Sequence, residues 1–544
     1  MSVAAPPQTE AETAVGRDPR RWIVLVTMCL SLLLIVVDNT IVNVAIPTLR
    51  EELGASASQL QWIVDAYILV FAGLLLTMGA LGDRFGRRGA LAIGLSIMAG
   101  ASTLSAFANS ADQLIAARAV MGIGAALVMP ATLSIITNVF TVPKERAQAI
   151  AIWSATAGMA IAIGPVTGGF LIEHFWWGSV FLINLPVIGL ALLLGQLFVP
   201  TSRDPESPPV DVPGAILSIT GLTALVYGII EGPHGWTHGN VLGAFGVSAV
   251  LLAAFAVWEY RTEHPMLDIS LFRNPRFSAA SGAIALTFFG MFGAFFLLTQ
   301  LLQSVMGYTP LQAGIRLLPM AVTQLVVAPN AARLAEKVGS KIVVAVGLAI
   351  AAVGLLMASR VTAGADYWDV GIALIVMAAG FALMMPAATE AIMGSVPPAK
   401  AGVGSAVNDT TRELGGAFGV AVLGSVVSST YGPQVRDAVA GTPLPAKAVT
   451  QVSDQVGAAM EVASRLPAGP GKLLHDVAAN AFIDGMSTAL VVGAVALALG
   501  AAVVALFLPA RAQRPDSDEA STDDDTDTEA GRAEDDRQLV LDRA

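Results

Sequence analysis

Long apolar runs separated by short polar connections dominate the pattern along this chain of 544 residues. A helix needs about 20 mainly apolar residues to cross a bilayer. Because a backbone in lipid must satisfy its own hydrogen bonds, we expect these runs to be helical. The pattern predicts fourteen spans, at about 22–44, 59–81, 89–108, 112–138, 146–171, 178–199, 211–231, 240–260, 277–303, 311–332, 341–359, 367–388, 401–428 and 484–508.

The polar turn after the second run has an approximate copy in the second half of the chain. Residues 82–88 read GDRFGRR, and residues 335–341 read AEKVGSK, 253 residues later. The tripeptide Met-Pro-Ala at 129–131 likewise returns at 385–387. Two related halves are typical of secondary transporters, whose substrate site lies where the halves meet. The repeat places spans 1–6 opposite spans 9–14 and leaves spans 7 and 8 as an inserted central pair.

The repeat and the span pattern together divide the chain into regions. The long segment 429–483, between spans 13 and 14, is predicted to be exterior and to carry one or two short helices between its Pro and Gly residues. The last residues are rich in Asp, Ser and Thr and are predicted to be disordered. The predicted regions are a leader at 1–21, a first half at 22–199, an inserted region at 200–276, a second half at 277–508 and an acidic tail at 509–544.

Lysine and arginine in the connections predict the orientation of the spans. The positive-inside rule assigns the side that is richer in these residues to the cytoplasm. That side includes Arg84, Arg88, Lys144 and Arg276, whereas the short loops of the other side offer only Arg50 and Arg360. We therefore expect both termini to be cytoplasmic, in a multi-pass protein of a bacterial plasma membrane.

Composition excludes several classes of protein. The chain is 55% hydrophobic and 13% charged, and its net charge of −11 comes mainly from the tail, since residues 516–544 hold twelve acids and three arginines. No basic domain remains that would favour nucleic acid. The scattered histidines predict no metal site, and the single Cys29 allows no internal disulfide. The sequence contains no Gly-x-x-x-x-Gly-Lys phosphate loop, so we expect neither an enzyme nor an ATP-driven pump.

Three charged residues lie at similar depths within the first half. A charged side chain in a span is costly unless it faces protein or water, so it indicates function. At a rise of 1.5 Å per residue, Asp38, Asp65 and Arg118 each lie roughly 9 Å from the exterior side. Two carboxylates and a guanidinium at one depth predict a site for protons and cations. The alternative for Asp38 and Asp65 is a structural cap or pair.

The second half has a comparable set of residues in span 13. Asp409 and Arg412 are three residues apart and can pair on one helix face, for structural or for functional reasons. Glu413 is the freer acid. Phe292 belongs to a run of phenylalanines in span 9 that can line a cavity for flat apolar compounds, or pack against protein or lipid instead.

Glycine and proline predict the parts of the chain that bend or pack closely. In the basic turn, Gly86 permits a sharp reversal, and Asp83 can face a helix N-terminus, which favours an anion. In span 5, Pro165 removes a helix hydrogen bond, and its glycines allow a neighbouring helix to approach, as a hinge or as ordinary packing. The predicted conformational motifs comprise Gly82, Asp83, Arg84, Gly86, Arg87, Arg88, Gly164, Pro165, Gly168 and Gly169.

Four segments give the chain its resemblance to a known family. They are 38–47 in span 1, 79–88 after span 2, 118–124 in span 4 and 164–169 in span 5. With these segments, the chain resembles the fourteen-span drug:proton antiporter branch of the major facilitator superfamily. The resemblance covers nearly all of 22–508. One departure is that Gly178 and Ser179 stand where the family usually has Arg and Trp, so any role of that Arg is not carried over.

The resemblance implies an all-α membrane protein with the major facilitator fold, built from two pseudo-symmetric six-helix halves and two inserted central helices. It implies a proton-coupled secondary transporter that exports amphipathic, cationic or aromatic drugs by alternating access. We expect no cofactor beyond the proton gradient, and partners limited to the substrate, protons and the bilayer around a monomer. Motif and depth together place Asp38 and Arg118 in proton coupling, and Asn43 belongs to the same span 1 motif. With Asn43, the residues selected by their position within spans, namely Asp65, Asp409, Glu413 and Phe292, are predicted to lie at the substrate.

Two other functions fit the same sequence. The first is a dedicated exporter of one endogenous product, such as an antibiotic, a siderophore or a lipid. The second is a nutrient symporter or a sensor that transports nothing. The Gly-Pro motif of span 5 resembles that of exporters and argues against uptake. The identity of the substrate does not follow from the sequence.

Overall fold

The computed structural model describes residues 20–508, except residues 56, 204–210, 233–234, 264, 266, 398–399 and 441–443. The predicted acidic tail and nearly all of the predicted leader therefore lie outside the described residues. Within the described part every element is helical. The first eight helices are α1 (Arg21–Leu53), α2 (Ala57–Phe85), α3 (Arg87–Ala106), α4 (Ala111–Val139), α5 (Pro143–His174), α6 (Ser179–Phe198, interrupted at Ile183), α7 (Val212–Glu231) and α8 (Gly239–Arg261).

A short 3₁₀ turn at Ile269–Arg273 leads into the second half of the chain. The helix α9 (Pro275–Gln300) ends in a π-helical turn, Leu301–Val305. It is followed by α10 (Pro310–Val338), α11 (Ser340–Ala358), α12 (Tyr367–Met393), α13 (Ala401–Val439), α14 (Ala446–Asp454), α15 (Val456–Arg465) and α16 (Ala468–Phe507).

Fourteen helices in the described residues are long and apolar enough to cross a membrane, namely α1–α13 and α16. This number and the all-helical architecture confirm the predicted fold class. The helix ends follow local chemistry. The Ser110 hydroxyl accepts a hydrogen bond from the Gln113 amide at the start of α4, and Thr309 and Gln312 form a capping box at the start of α10.

The two halves repeat the same set of helix contacts. In the first half α1 packs on α5, α2 on α4, and α3 on α4. In the second half α9 packs on α13, α10 on α12, and α11 on α12. Each contact of the first half therefore recurs between helices numbered eight higher. The packing agrees with the pseudo-symmetry that the repeated motifs predicted.

Among the contacts that join the halves, the crossed contacts of α2 with α13 and of α5 with α10 are equivalent under the same pseudo-symmetry, as are those of α4 with α13 and of α5 with α12. Small residues allow the close approach. A Cβ on Gly79 would lie 2.6 Å from the Cβ of Ala406, and a Cβ on Gly314 would lie 3.0 Å from a methyl of Val166. The inserted helix α7 packs on α2 and also contacts α13. The inserted pair therefore lies beside the interface between the halves.

In the segment 429–483, which was predicted to be exterior, the two neighbouring span helices extend further than expected. The helix α13 continues to Val439, and α16 already begins at Ala468, so much of 429–483 extends the two span helices. Polar residues after 428 suggested an end, but the extension buries Tyr431 and Val435. The hydroxyl of Tyr431 donates to the carbonyl of Val452 in α14, 2.8 Å away. Packing against α14 and α15 therefore outweighs the polar sequence.

Candidate functional site

Asp38 and Arg118 form an ion pair in the interior of the first half. The Arg118 Nη1 lies 2.5 Å from the Asp38 Oδ2, and both side chains are completely buried. Arg118 also donates from Nε to the carbonyl of Ile63 in α2, at 3.1 Å. Three helices, α1, α2 and α4, therefore position this pair. Two of the three residues that the sequence placed at one depth are therefore in direct contact.

The other oxygen of Asp38 is held by a residue that the sequence analysis did not select. Asn184 donates from Nδ2 to the Asp38 Oδ1 at 2.9 Å and to the Ser102 hydroxyl at 3.0 Å. Asn184 follows the interruption of α6 at Ile183, which turns its side chain to this position at the start of a new helical segment. In the sequence, the signal that could have identified Asn184 was an amide side chain within an apolar run, directly after a break in the helix.

Tyr67 of α2 covers the face of the Arg118 guanidinium. The Arg118 Cζ lies 4.4 Å from the centre of the Tyr67 ring, which is a cation–π distance. The ring is fully buried, and its hydroxyl has no hydrogen-bond partner among the described residues. The sequence analysis missed Tyr67 because an aromatic residue in an apolar span is usually part of the packing.

In the second half, Asp409 and Arg412 of α13 are both buried, and the Arg412 Nη1 lies 3.5 Å from the Asp409 Oδ1. Asp409 also accepts from Asn408 at 3.2 Å and from Ser405 at 3.4 Å. The Arg412 Cζ lies 4.7 Å from the ring centre of Phe288 in α9. It lies 5.4 Å from the ring centre of Trp153 in α5, so Arg412 contacts the opposite half as well.

The remaining predicted substrate residues have different surroundings. Glu413 is half-buried and forms neither a hydrogen bond nor an ion pair with the described residues. Phe292 packs edge-to-face on Phe288, with ring centres 5.4 Å apart, and against Gly416 of α13. Phe292 therefore has a packing role between α9 and α13. Asp65 lies half-buried on α2, and the side chain of Asn43 is outside the described residues.

The basic turn joins the halves at one end of the bundle, called here the basic end because Arg84, Arg87 and Arg88 lie there. The Asp83 carboxylate accepts hydrogen bonds from the amides of Gly402 at 3.0 Å and Val403 at 3.1 Å, at the start of α13. Arg87 donates to Asp83 at 2.7 Å. Asp83 thus caps a helix of the opposite half, where the free amides and the helix dipole favour an anion.

The other residues of the turn hold it in place. Gly86, between α2 and α3, has a φ of 112°, which a residue with a side chain rarely adopts. Arg88 donates to the carbonyl and to the side chain of Gln196 in α6, at 2.6 and 2.8 Å. Arg84 lies 5.3 Å from the ring centre of Phe85, and Gly82 is buried.

A second contact at the basic end involves Glu390, which the sequence analysis overlooked. The Arg146 Nη2 of α5 lies 2.6 Å from the Glu390 Oε1 of α12, and the Nε is 3.0 Å from the same oxygen. Nearby, Lys144 and Glu336 form a longer pair of 3.6 Å across the same interface. In the sequence, the signal that could have identified Glu390 was a carboxylate near the end of the apolar span α12. These contacts close the basic end.

The glycines of α5 allow neighbouring helices to approach on two sides. Gly164 faces Thr40 and Gly168 faces Ile41, both in α1, and a Cβ on Gly168 would lie 2.7 Å from the side chain of Ile41. A Cβ on Gly169 would lie 3.4 Å from the Cβ of Leu311 in α10, and Pro165 lies near Gly314 of the same helix. The segment 164–169 therefore packs on its own half and on the other.

Comparison with known proteins identifies the family. The model of the Major Facilitator Superfamily matches residues 28–420. The chain belongs to this superfamily. Among superfamily members, the chain is 38% identical to the multidrug efflux pump LfrA of Mycolicibacterium smegmatis, over 91% of this chain and 98% of LfrA. It is 36% identical to the methyl viologen resistance protein SmvA of Salmonella typhimurium, over 91% of this chain and 99% of SmvA.

Solved structures agree with the superfamily fold. The crystal structure of the human organic anion transporter MFSD10 has a TM-score of 0.59 and 17% identity, and the match covers 88% of this chain and all of that one. At this identity the similarity concerns the fold alone. The predicted family resemblance is confirmed, and this member of a transporter superfamily is a multi-pass membrane protein.

Proposed function

We propose that this protein exports amphipathic, cationic or aromatic drugs in exchange for protons. It acts as a single chain in a bacterial plasma membrane, with the basic end and both termini in the cytoplasm. It needs no cofactor, because the proton gradient supplies the energy. The named activities of LfrA and SmvA support the substrate class, since methyl viologen is an organic cation.

The observation that carries the proposal is the fully buried pair of Asp38 and Arg118. A buried ion pair costs desolvation energy that its attraction barely offsets, so it is weak evidence for a role in stability. Ionisable groups within a span typically mark proton or ion pathways. Asp38 is the group that binds the proton, and Arg118 compensates its charge when the proton has left.

The second half supplies the charge that attracts the substrate. Asp409 is paired with Arg412, whereas Glu413 has no partner among the described residues and is partly accessible. A carboxylate without a counter-ion attracts a cation. Aromatic rings of α5 and α9 lie close to the same region through Trp153 and Phe288. We infer that Glu413 supplies the charge that a cationic compound requires, while both rings are buried against Arg412 in the described conformation.

The contacts at the basic end support the proposed alternating access. With Asp83 capping α13 and Arg146 paired with Glu390, the described conformation is closed at the basic end. Loading of a drug from the cytoplasm requires both contacts to break as one half rocks against the other. Proton binding at Asp38 and drug binding at Glu413 are the events that select between the two conformations.

The test combines efflux and coupling. The chain is expressed in a host that lacks its own efflux pumps and is challenged with ethidium, methyl viologen and neutral compounds. Purified protein in proteoliposomes is then given an imposed pH gradient. We expect gradient-driven movement of the cations. Transport of a single compound would favour a dedicated exporter, and an absence of gradient-driven transport would refute proton-coupled drug export.

A further inference from the structure

Tyr67 lies between the proton-binding pair of one half and the free acid of the other. Its helix α2 packs on α4, which carries Arg118, and on α13, which carries Glu413. The Tyr67 ring covers the Arg118 guanidinium at 4.4 Å. Asp83 contacts Gly402 and Gly79 contacts Ala406, so α2 and α13 run antiparallel, and Tyr67 and Glu413 both lie further along the same helix contact, away from the basic end. Tyr67 thus links the ion pair of the first half to the helix that carries Glu413.

Two polar groups at this point are not used in the described conformation. The Tyr67 hydroxyl and the Arg118 Nη2 are both buried, and neither has a hydrogen-bond partner among the described residues. Leaving a buried donor unpaired destabilises the folded protein. A phenylalanine would avoid this cost and keep the ring over the guanidinium. The hydroxyl therefore requires an explanation other than stability.

The charged groups around Tyr67 carry a net negative charge that one additional cation neutralises. Asp38 is faced by Arg118, whose guanidinium Tyr67 covers, and by the neutral Asn184. On α13, Glu413 directly follows Arg412 and lies four residues, about one helical turn, after Asp409. When all are ionised, the three carboxylates and two guanidiniums carry a net charge of −1. One proton on Asp38 or one monovalent cation at Glu413 makes the set neutral.

We propose that Tyr67 is the positioning residue through which a proton on Asp38 displaces a cationic drug from Glu413. This inference rests on the proposed function. With Asp38 ionised, Arg118 is held by Asp38, and Glu413 is free to bind the cation. With Asp38 protonated, Arg118 loses its counter-ion, and its charge acts across the Tyr67 ring on Glu413. The Tyr67 hydroxyl then donates a hydrogen bond to the vacated Glu413 carboxylate.

The step balances in charge and in protons. Asp38 gains one proton from the exterior side, and one monovalent cation leaves Glu413 for the same side. No covalent bond other than the O–H bond on Asp38 forms. When the proton later leaves Asp38 for the cytoplasm, Arg118 returns to Asp38, the hydroxyl releases Glu413, and the next cation binds. Proton and drug are thus mutually exclusive although they bind to different carboxylates.

The test measures the binding of ethidium to the purified full-length chain as a function of pH. In the wild type, proton competition should weaken ethidium binding by about tenfold between about pH 8 and pH 6. In Tyr67→Phe the ring remains, so affinity at the higher pH should be retained, but the pH effect should fall below about twofold. Glu413→Gln should lose about tenfold in affinity at the higher pH, since the attracting charge is gone.

Tyr431→Phe is the matched control, because Tyr431 is also a buried tyrosine but its hydroxyl has a partner, the Val452 carbonyl. It should lower Tm and keep the pH effect, whereas Tyr67→Phe should keep or raise Tm and lose the pH effect. Wild-type pH dependence in Tyr67→Phe, or wild-type affinity in Glu413→Gln, would overturn the inference. If the wild-type protein itself binds ethidium without pH dependence, the proposed proton coupling fails instead.

Discussion

Arg146 of α5 and Glu390 of α12 form an ion pair across the interface between the halves, with 2.6 Å between Nη2 and Oε1. The two residues belong to opposite halves, so the pair cannot survive a rocking motion that opens the basic end. We therefore expect the strength of this pair to influence the balance between the closed and the open conformation of the basic end.

Neutralising Glu390 should favour the conformation that is open at the basic end. Hydrogen bonds to charged groups contribute about 1.5–3 kcal/mol, so Glu390→Gln should raise the open population by roughly tenfold. The measurement is the rate at which a maleimide labels Ala401→Cys, a buried position at the start of α13, with the native Cys29 replaced by Ala. Lys144→Gln is the control, because Lys144 is 66% exposed and its pair with Glu336 is long. An unchanged labelling rate in Glu390→Gln would show that this pair does not keep the basic end closed.

Removing the charge of Asp38 should abolish exchange. Asp38→Asn imitates the protonated state permanently, so drug transport can no longer be exchanged for a proton. The expected result in proteoliposomes is loss of transport driven by an imposed pH gradient. Gradient-driven transport at the wild-type level would transfer the coupling role to Asp65, Asp409 or Glu413.

Removing Arg118 should affect stability as well as coupling. Breaking a buried ion pair from one side costs about 3–5 kcal/mol, because a buried charge is left without compensation. Arg118→Ala should therefore lower Tm clearly. Combining it with Asp38→Asn should restore Tm but not transport. A double variant as unstable as Arg118→Ala would mean that the loss is one of packing rather than of charge.

Asp65 should influence which compounds are exported. It lies half-buried on α2 and is outside the Asp38–Arg118 pair. We expect its carboxylate to act on cationic substrates and not to carry the exchanged proton. Asp65→Asn should reduce export of ethidium and methyl viologen more than export of neutral compounds. Equal losses for all substrates would place Asp65 in the coupling machinery.

Gly164 should be intolerant of even a small side chain. A Cβ there would meet the Thr40 side chain and would lie 3.3 Å from the Val37 carbonyl in α1. Overpacking typically costs about 1–3 kcal/mol, so Gly164→Ala should lower transport by roughly tenfold or more. Gly189→Ala in α6 is the control, since a Cβ at Gly189 meets nothing within 4 Å. Normal transport by Gly164→Ala would show that this approach of α1 and α5 is not needed.

The sequence allowed the spans and part of the site to be predicted, because both depend on local composition. Apolar run length indicates a span, and a charge within a span stands out at once. Asp38 and Arg118 were therefore found, and so was the tendency of Asp83 to face a helix N-terminus. Which helix it caps did not follow, because α13 starts more than three hundred residues later in the chain.

The roles of the residues that were missed depend on contacts between helices that are distant along the chain. Glu390 matters because α12 meets α5, and Tyr67 matters because α2 lies between α4 and α13. Neither contact can be derived from spacing along the chain. The extension of α13 beyond its predicted end has the same origin, since residues far along the chain, in α14, provide the packing that stabilises it.

The inserted helix α7 covers one of the two crossed contacts between the halves, α2–α13, and leaves the other without such a cover. It packs on α2 and reaches α13, and the connection after it is tied to α13 by a hydrogen bond of 2.9 Å from Trp236 to Ser425. The α2–α13 side is thereby shielded, whereas its counterpart, α5–α10, has no equivalent insertion in the repeat. Among the described residues, the two crossed contacts therefore differ in what covers them within the membrane plane, since only the α2–α13 contact is flanked by the inserted pair.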